Sequence, residues 1–258
     1  MMQPAPLHST AAYGSDARVP PPNPDLAAHA HIGDYLALYR RSLDDPDSFW
    51  REQAQALAWI EPFTQVLDDS NAPFYKWFIG GKTNVVTNAL ERHLQSRGDQ
   101  TALIWEGENG DIRTFSYKSL HGEVNRCANM LKSLGVTRGD RVAIYMPRIP
   151  EQAIAMLATA KLGAVHTVVY GGLSTEALHA RIADAAAKVV ITADGGHLNG
   201  KIVELKRITD AAVANASSVE RVLCIRHANN AIEQQPRDED WHALMEQASD
   251  ELCPTEAL

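Results

Sequence analysis

The chain has 258 residues, enough for one large domain or two modest ones around a sizeable buried core. Its 45% hydrophobic and 22% charged residues suit a globular protein, and a formal net charge of −8 lacks the basic footprint that a nucleic-acid partner requires. No apolar run approaches the roughly 20 residues of a membrane helix, and three scattered cysteines, Cys127, Cys224 and Cys253, form neither a disulfide frame nor a zinc spacing.

The opening MMQPAPLHSTAAYGSDARVPPPNPD has no basic n-region and no apolar h-region, so it is not a secretory signal. It reads as a flexible Pro-rich tail over residues 1–29, and with reduced thiols it points to a cytoplasmic protein. HIGDYLALYRRSL then places Ile32, Leu36, Leu38, Tyr39 and Leu43 at helical spacing. DDPDSFWREQAQAL adds a short helix with Asp47 or Ser48 as its cap. Trp50, Trp59 and Trp77, with Phe63, Phe74 and Phe78, are expected to pack this helical segment, residues 30–98, onto the rest of the protein. VVTNALERHLQSRG closes it as a helix with Val85, Leu90 and Leu94 on one side and Gly98 as C-cap.

From residue 99 the rhythm changes. TALIWEG and IRTFSY read as strands joined through the turn ENGD. In SLHGEVNRCANMLKSLG, Leu120, Val124, Cys127, Leu131 and Leu134 fall at helical spacing and Gly135 stops the helix. RVAIYMP is a buried strand, PEQAIAMLATAKLGA a helix opened by Pro150, HTVVYG a strand, STEALHARIADAAA a helix capped by Ser174, and KVVITAD a strand. IVELKRITDAAVANA is then a helix and VERVLCI another strand. The remainder reads as a charged loop, a helix and an unfinished end, CPTEAL. Strands alternating with helices through short connections predict a largely parallel sheet flanked by helices.

Two loops follow strand ends, where open α/β sheets bind ligands. Gly171 and Gly172 lack the third glycine of a dinucleotide fingerprint, and a structural turn is the favoured reading there. The second loop, ADGGHLNGK, matches G-x-x-x-x-G-K through Gly195, Gly200 and Lys201, but Ile202 stands where a triphosphate loop needs a magnesium-binding hydroxyl. A damaged triphosphate loop, a different phosphate site held by Asn199, Gly200 and Lys201, and a solvated turn all remain open on these residues. No histidine spacing supports a catalytic metal, and no G-x-S-x-G supports a hydrolase triad.

Two longer stretches narrow this. WFIGGKTNVVTNALERHL and DRVAIYMPRIPEQAIAMLATAKLGAVHTVVYGGLSTEALHARI resemble ordered motifs of the AMP-forming acetyl-CoA synthetases, short-chain members of the adenylate-forming superfamily. The resemblance spans roughly residues 30 to 225. It implies an acyl-adenylate made from acetate and Mg-ATP with release of diphosphate, followed by transfer of the acyl group to CoA. It also implies that the ADGGHLNGK loop contacts the phosphate end of CoA, making Leu198, Asn199, Gly200 and Lys201 the candidate cofactor-binding residues. Leu198 replaces the family's usual arginine, removing a guanidinium from that loop. Thr83, Thr87 and Ala89 also depart from the commonest residues, as packing variants.

In this family a Ser/Thr/Gly-rich triphosphate loop should come soon after CPTEAL. The resemblance therefore implies an incomplete α/β domain, residues 99–258, cut before the Mg and ATP sites and preceded by the helical, Trp-rich cap. It implies no catalytic residue in the chain, no activity alone, small-molecule substrates, and a missing C-terminal remainder as partner. A propionyl-CoA or other short-chain synthetase fragment, and a non-catalytic CoA- or nucleotide-binding protein, are the alternatives.

Overall fold

The computed structural model describes residues 22–258 and divides after Gln53 into two compact units. The first holds α1 (Pro24–Ala28), α2 (Tyr35–Asp44) and most of α3 (Pro46–Ala54). The tail expected over residues 1–29 thus includes one helical turn, capped where the Asn23 side chain accepts from the Asp25 amide at 2.8 Å. Residues 1–21 of that expectation lie outside the described residues. Asp34 caps α2 by accepting from the Ala37 amide at 2.9 Å. Leu38 and Tyr39 are half-buried, while Leu36 and Leu43 stay exposed. The cap of α3 is Asp45, which accepts from the Ser48 amide at 3.1 Å, in place of Asp47 or Ser48. Pro46 occupies the first helical position, where its missing N–H is harmless, and this shifts the cap one residue upstream.

The second unit is built on a five-stranded, wholly parallel sheet. Uninterrupted apolar runs produce β5 (Arg141–Met146), β7 (Val189–Ala193) and β10 (Arg221–Ile225), whose Val142–Tyr145, Val189–Ile191 and Val222–Leu223 side chains are fully buried. With β6 (Val165–Tyr170) and a short β11 (Asp238–Asp240), the order is β11-β10-β7-β5-β6. The helices α6 (Tyr117–Ser133), α7 (Pro150–Lys161) and α10 (Trp241–Gln247) form one packed layer, and α8 (Thr175–Ala185) and α9 (Leu205–Val213) form another. This is the predicted fold of parallel strands flanked by helices. The chain leaves β5 toward β6, returns past β5 to β7, and continues outward to β10, so the ends of β5 and β7 mark a switch in winding direction.

Several local expectations hold. The β3 (Thr101–Glu106) and β4 (Ile112–Ser116) strands form an antiparallel hairpin, Ser174 caps α8 through the Ala177 amide at 3.3 Å, and the chain turns at Gly135 (φ 82°) after α6. All three cysteines are buried and none is in a disulfide, and burial pushes the Cys224 thiol up to about 12.

Others need correction. The helix expected over VVTNALERHLQSRG breaks into α4 (Val85–Ala89), a 3₁₀ turn at Glu91–His93 and α5 (Leu94–Arg97). Leu90 leaves the helical region (φ −124°, ψ −60°), Gly98 stays right-handed at φ −51°, and Val86, not Val85, is buried. Distant partners cause the break: Asn84 Nδ2 donates to Ala160 O and Glu256 O, and Glu91 accepts from Lys161. A hairpin of β1 (Gln65–Asp68) and β2 (Lys76–Ile79) lies within the segment read as helical. Trp59 and Phe63 pack with Phe78 of β2 in tilted and edge-to-face arrangements, centroids 5.0 to 5.4 Å apart, while Phe74 stays exposed. The residues CPTEAL are tied down, with Leu258 and Thr83 exchanging backbone hydrogen bonds at 3.1 and 3.0 Å.

Candidate functional site at the strand ends

The segment after β7 does not run into a helix. It forms β8 (Gly196–Leu198) and β9 (Lys201–Val203), an antiparallel pair joined by two residues, Asn199 (φ 52°) and Gly200 (φ 72°). Asn-Gly with both residues left-handed is the sequence and geometry of a type I′ turn, whose twist suits a short hairpin. Lys201 therefore lies in a strand, and α9 begins only at Leu205. A triphosphate loop needs its lysine at the start of a helix with amides facing the phosphates. That reading of G-x-x-x-x-G-K is excluded, and IVE belongs to β9 and its connection, ahead of the helix expected to contain it.

The hairpin borders a cleft of about 600 Å³ outside the carboxyl ends of the sheet. Met146, Pro147 and Arg148 line it after β5, Tyr170, Gly171 and Gly172 at β6, Gly196 to Leu198 after β7, and His227 after β10. The tip of the β3–β4 hairpin, Trp105 to Asn109, closes another side. This is the position at which a doubly wound sheet offers a crevice to a ligand. The hairpin sits tightly on the end of β5: a Cβ at Gly196 would fall 2.9 Å from Pro147 Cβ. Gly171 and Gly172 form a turn braced by Tyr145, whose hydroxyl donates to Leu173 O at 3.0 Å.

Asp194, fully buried at the end of β7, fixes the floor. Its Oδ1 accepts from the amides of Gly195 (2.7 Å), His227 (2.9 Å) and Ala228 (2.9 Å), locking the loops after β7 and β10 together. His227 faces His197 with ring centroids 5.6 Å apart, and Trp105 at 6.2 Å. Burial, and then the neighbouring His197, push the His227 imidazole below its ordinary value. Trp105 Nε1 donates to Arg148 O at 2.7 Å, pinning the β3–β4 hairpin to the end of β5.

Of the four sequence-derived candidates, Leu198 lines the cleft, Asn199 and Gly200 form the turn, and Lys201 pairs across it with Leu198. The free amides of the turn are engaged: Asn199 N donates to Glu108 Oε1 at 3.0 Å and Gly200 N to Glu108 Oε2 at 3.3 Å. Lys201 Nζ has no carboxylate within 4.0 Å among the described residues. Sequence reading found neither Glu108 nor His227. Each reaches the site from a remote segment, and ENGD carries only a turn signal of its own. Among the described residues no group of three or more His, Cys, Asp or Glu is placed to hold a metal ion, and no helix is long and apolar enough to cross a membrane.

Comparison with known proteins agrees with this architecture. Residues 35–89 match the acetyl-coenzyme A synthetase N-terminus, and residues 90–256 match the AMP-binding enzyme family. Acetyl-coenzyme A synthetase of Sodalis glossinidius is 48% identical over 231 residues, covering 87% of this chain and 35% of that protein. The enzyme of that name from Thiobacillus denitrificans is 46% identical over 93% of this chain and 37% of its own length. Among solved structures, the acetoacetyl-CoA synthetase from Streptomyces lividans superposes with a TM-score of 0.80 at 28% identity, over 90% of this chain and 36% of that one. The chain thus spans little more than a third of the length of these relatives. With more than half of its residues, 90–256, matching that family's pattern, the chain belongs to the AMP-binding enzymes.

Proposed function

We propose that the chain is the N-terminal portion of an acetate–CoA ligase, converting acetate, ATP and CoA to acetyl-CoA, AMP and diphosphate through acetyl-adenylate. Within it, residues 30–98 serve as the cap segment and residues 99–258 as the α/β part of the large domain. The Leu198–Lys201 hairpin receives the phosphate end of CoA. The observation that carries this site is the hairpin itself: a two-amide turn followed by a lysine with no ion-pair partner among the described residues, in a hairpin whose first strand lines the cleft outside the strand ends. Amides and an ammonium suit a phosphate ester, and a cleft of about 600 Å³ has room for part of a larger ligand.

On this reading the Mg and ATP sites and the adenylating residues lie outside the chain, its partner is the remainder of the synthetase, and the compartment is the cytoplasm. The net charge of −8 favours small-molecule substrates over nucleic acid. The fold alone does not choose the acid, since an acetoacetyl-CoA synthetase shares it. A propionyl-CoA synthetase is the second reading.

Calorimetric titration of the chain with CoA and with dephospho-CoA tests the site. CoA should bind more tightly, and Lys201→Ala should erase the difference while leaving any Mg-ATP binding unchanged. Equal affinities for the two ligands would remove the phosphate assignment. Acetate-dependent ATP–diphosphate exchange by this chain alone would show that the adenylating machinery had been misplaced.

A further inference from the structure

The two turn amides are already bound to an anion, and that anion belongs to the protein. Glu108 lies 91 residues upstream, at the tip of the β3–β4 hairpin, and its two carboxylate oxygens take one amide each. Its hairpin is anchored independently of this contact. Trp105 Nε1 holds Arg148 O at 2.7 Å, and Arg113 Nη1 holds the buried Glu151 carboxylate at 2.8 Å. Neither the hairpin nor the turn needs the Glu108 carboxylate to stay in place, and Glu108 is exposed, so rotation of its side chain alone would free both amides.

The charge is also incompletely matched. A carboxylate bears one negative charge, and with it seated Lys201 still lacks an ionic partner among the described residues. A phosphate monoester bears about −1.5 to −2 at pH 7 and offers three acceptor oxygens, enough for two amides and an ammonium at once.

We propose that Glu108 is an internal competitor for the phosphate site. It occupies the Asn199 and Gly200 amides when the site is empty and is displaced when a phosphate ester binds these amides and Lys201. This rests on the proposed site and adds a residue that sets its affinity and its preference for doubly charged esters over carboxylates.

The test compares the 258-residue chain with Glu108→Ala and Glu108→Gln, following the Asn199 and Gly200 amide resonances during titration with inorganic phosphate and, separately, CoA. Cross-strand pairing of Leu198 with Lys201 confirms that the hairpin persists in each variant. Loss of the competitor should let phosphate move both amides at about tenfold lower concentration in Glu108→Ala, with Glu108→Gln intermediate. CoA should tighten in the same order. If phosphate titrates all three proteins alike, or reaches these amides in none, Glu108 is a strut and the proposal is overturned. If phosphate responds as expected but CoA binds none of the proteins, the competitor stands and the CoA reading fails.

Discussion

Lys161→Met would test a fully buried charge that joins three segments of the chain. The Lys161 side chain has no solvent exposure, and its Nζ donates to Glu91 Oε1 at 2.6 Å and to Thr255 Oγ1 at 2.7 Å. The Thr255 hydroxyl donates in turn to Glu91 at 2.5 Å, so one ammonium joins the α4–α5 segment, α7 and the final residues. Methionine keeps most of the aliphatic stem, so the loss is chiefly electrostatic. Breaking a buried pair by removing one partner costs about 3–5 kcal/mol. Glu91 is 24% exposed and keeps Thr255, which places the expected loss near the lower end, about 3 kcal/mol.

The effect should depend on pH. His121, whose Nε2 lies 3.7 Å from Glu91 Oε1, together with Lys161 and Thr255, holds the Glu91 carboxyl well below the usual carboxylate range. A carboxyl lowered in the folded state contributes stability that is complete above its unfolded value, about 4.3, and is lost as pH falls toward the folded value. The stability gap between wild type and variant should therefore be largest at neutral pH and narrow below about pH 4. Urea denaturation followed by circular dichroism measures both. A loss under about 1 kcal/mol at pH 7, or additive effects of Lys161→Met and Glu91→Gln in the double variant, would refute the coupling.

Lys206→Met should be comparably damaging, about 3 kcal/mol in the same assay, because Nζ bridges Asp210 at 2.6 Å and the equally buried Asp238 at 2.7 Å. Adding Asp238→Asn should recover part of the loss, and no recovery would mean that like-charge repulsion is not the cause. The His227 imidazole should titrate below its ordinary 6.5 by NMR, so that His227 costs the fold stability as pH falls below that value; a midpoint above 6.5 would contradict its burial. Leu198→Arg should restore a charge-assisted phosphate contact, generally worth about 1.5–3 kcal/mol, and so tighten CoA by about tenfold or more. Unchanged affinity in calorimetry would place the phosphate elsewhere.

What the sequence disclosed follows the range of the forces involved. Strands buried on both faces need continuous apolar runs, and Val142–Tyr145 and Val189–Ile191 have them, so β5 and β7 were legible without any neighbour. The period-3.6 stripe of α6 was equally plain. The break at Leu90 was hidden because its causes are Ala160 O, Glu256 O and Lys161, all about 70 residues or more from their partners in the chain. The strand Asp238–Asp240 has three acidic residues and no β propensity. It exists because β10 supplies the ladder and Lys206 neutralises Asp238 beneath it. Asn199-Gly200 did carry a hairpin signal, but three-residue strands are too short to show alternation, and the helical pattern of the following residues drew the predicted helix forward.

The replacement of a phosphate-loop helix by a hairpin bears on where an anion can sit. A helix N-terminus attracts negative charge through its free amides and its dipole. The N-terminus of α9 is poorly suited to a ligand: Glu204 occupies the cap position, and Glu204 forms an ion pair with Arg207 at 2.8 Å. That carboxylate already supplies the negative charge the helix end favours. The turn at Asn199 and Gly200 differs, since its two amides are met by Glu108, an exposed side chain that can rotate away. Lys201 begins β9 directly after that turn and pairs across it with Leu198, and among the described residues its ammonium forms no ion pair, with Glu204 or any other carboxylate. The same short hairpin that rules out a triphosphate loop thus sets two turn amides next to Lys201 in the chain, at the border of the cleft, with Glu108 seated on both.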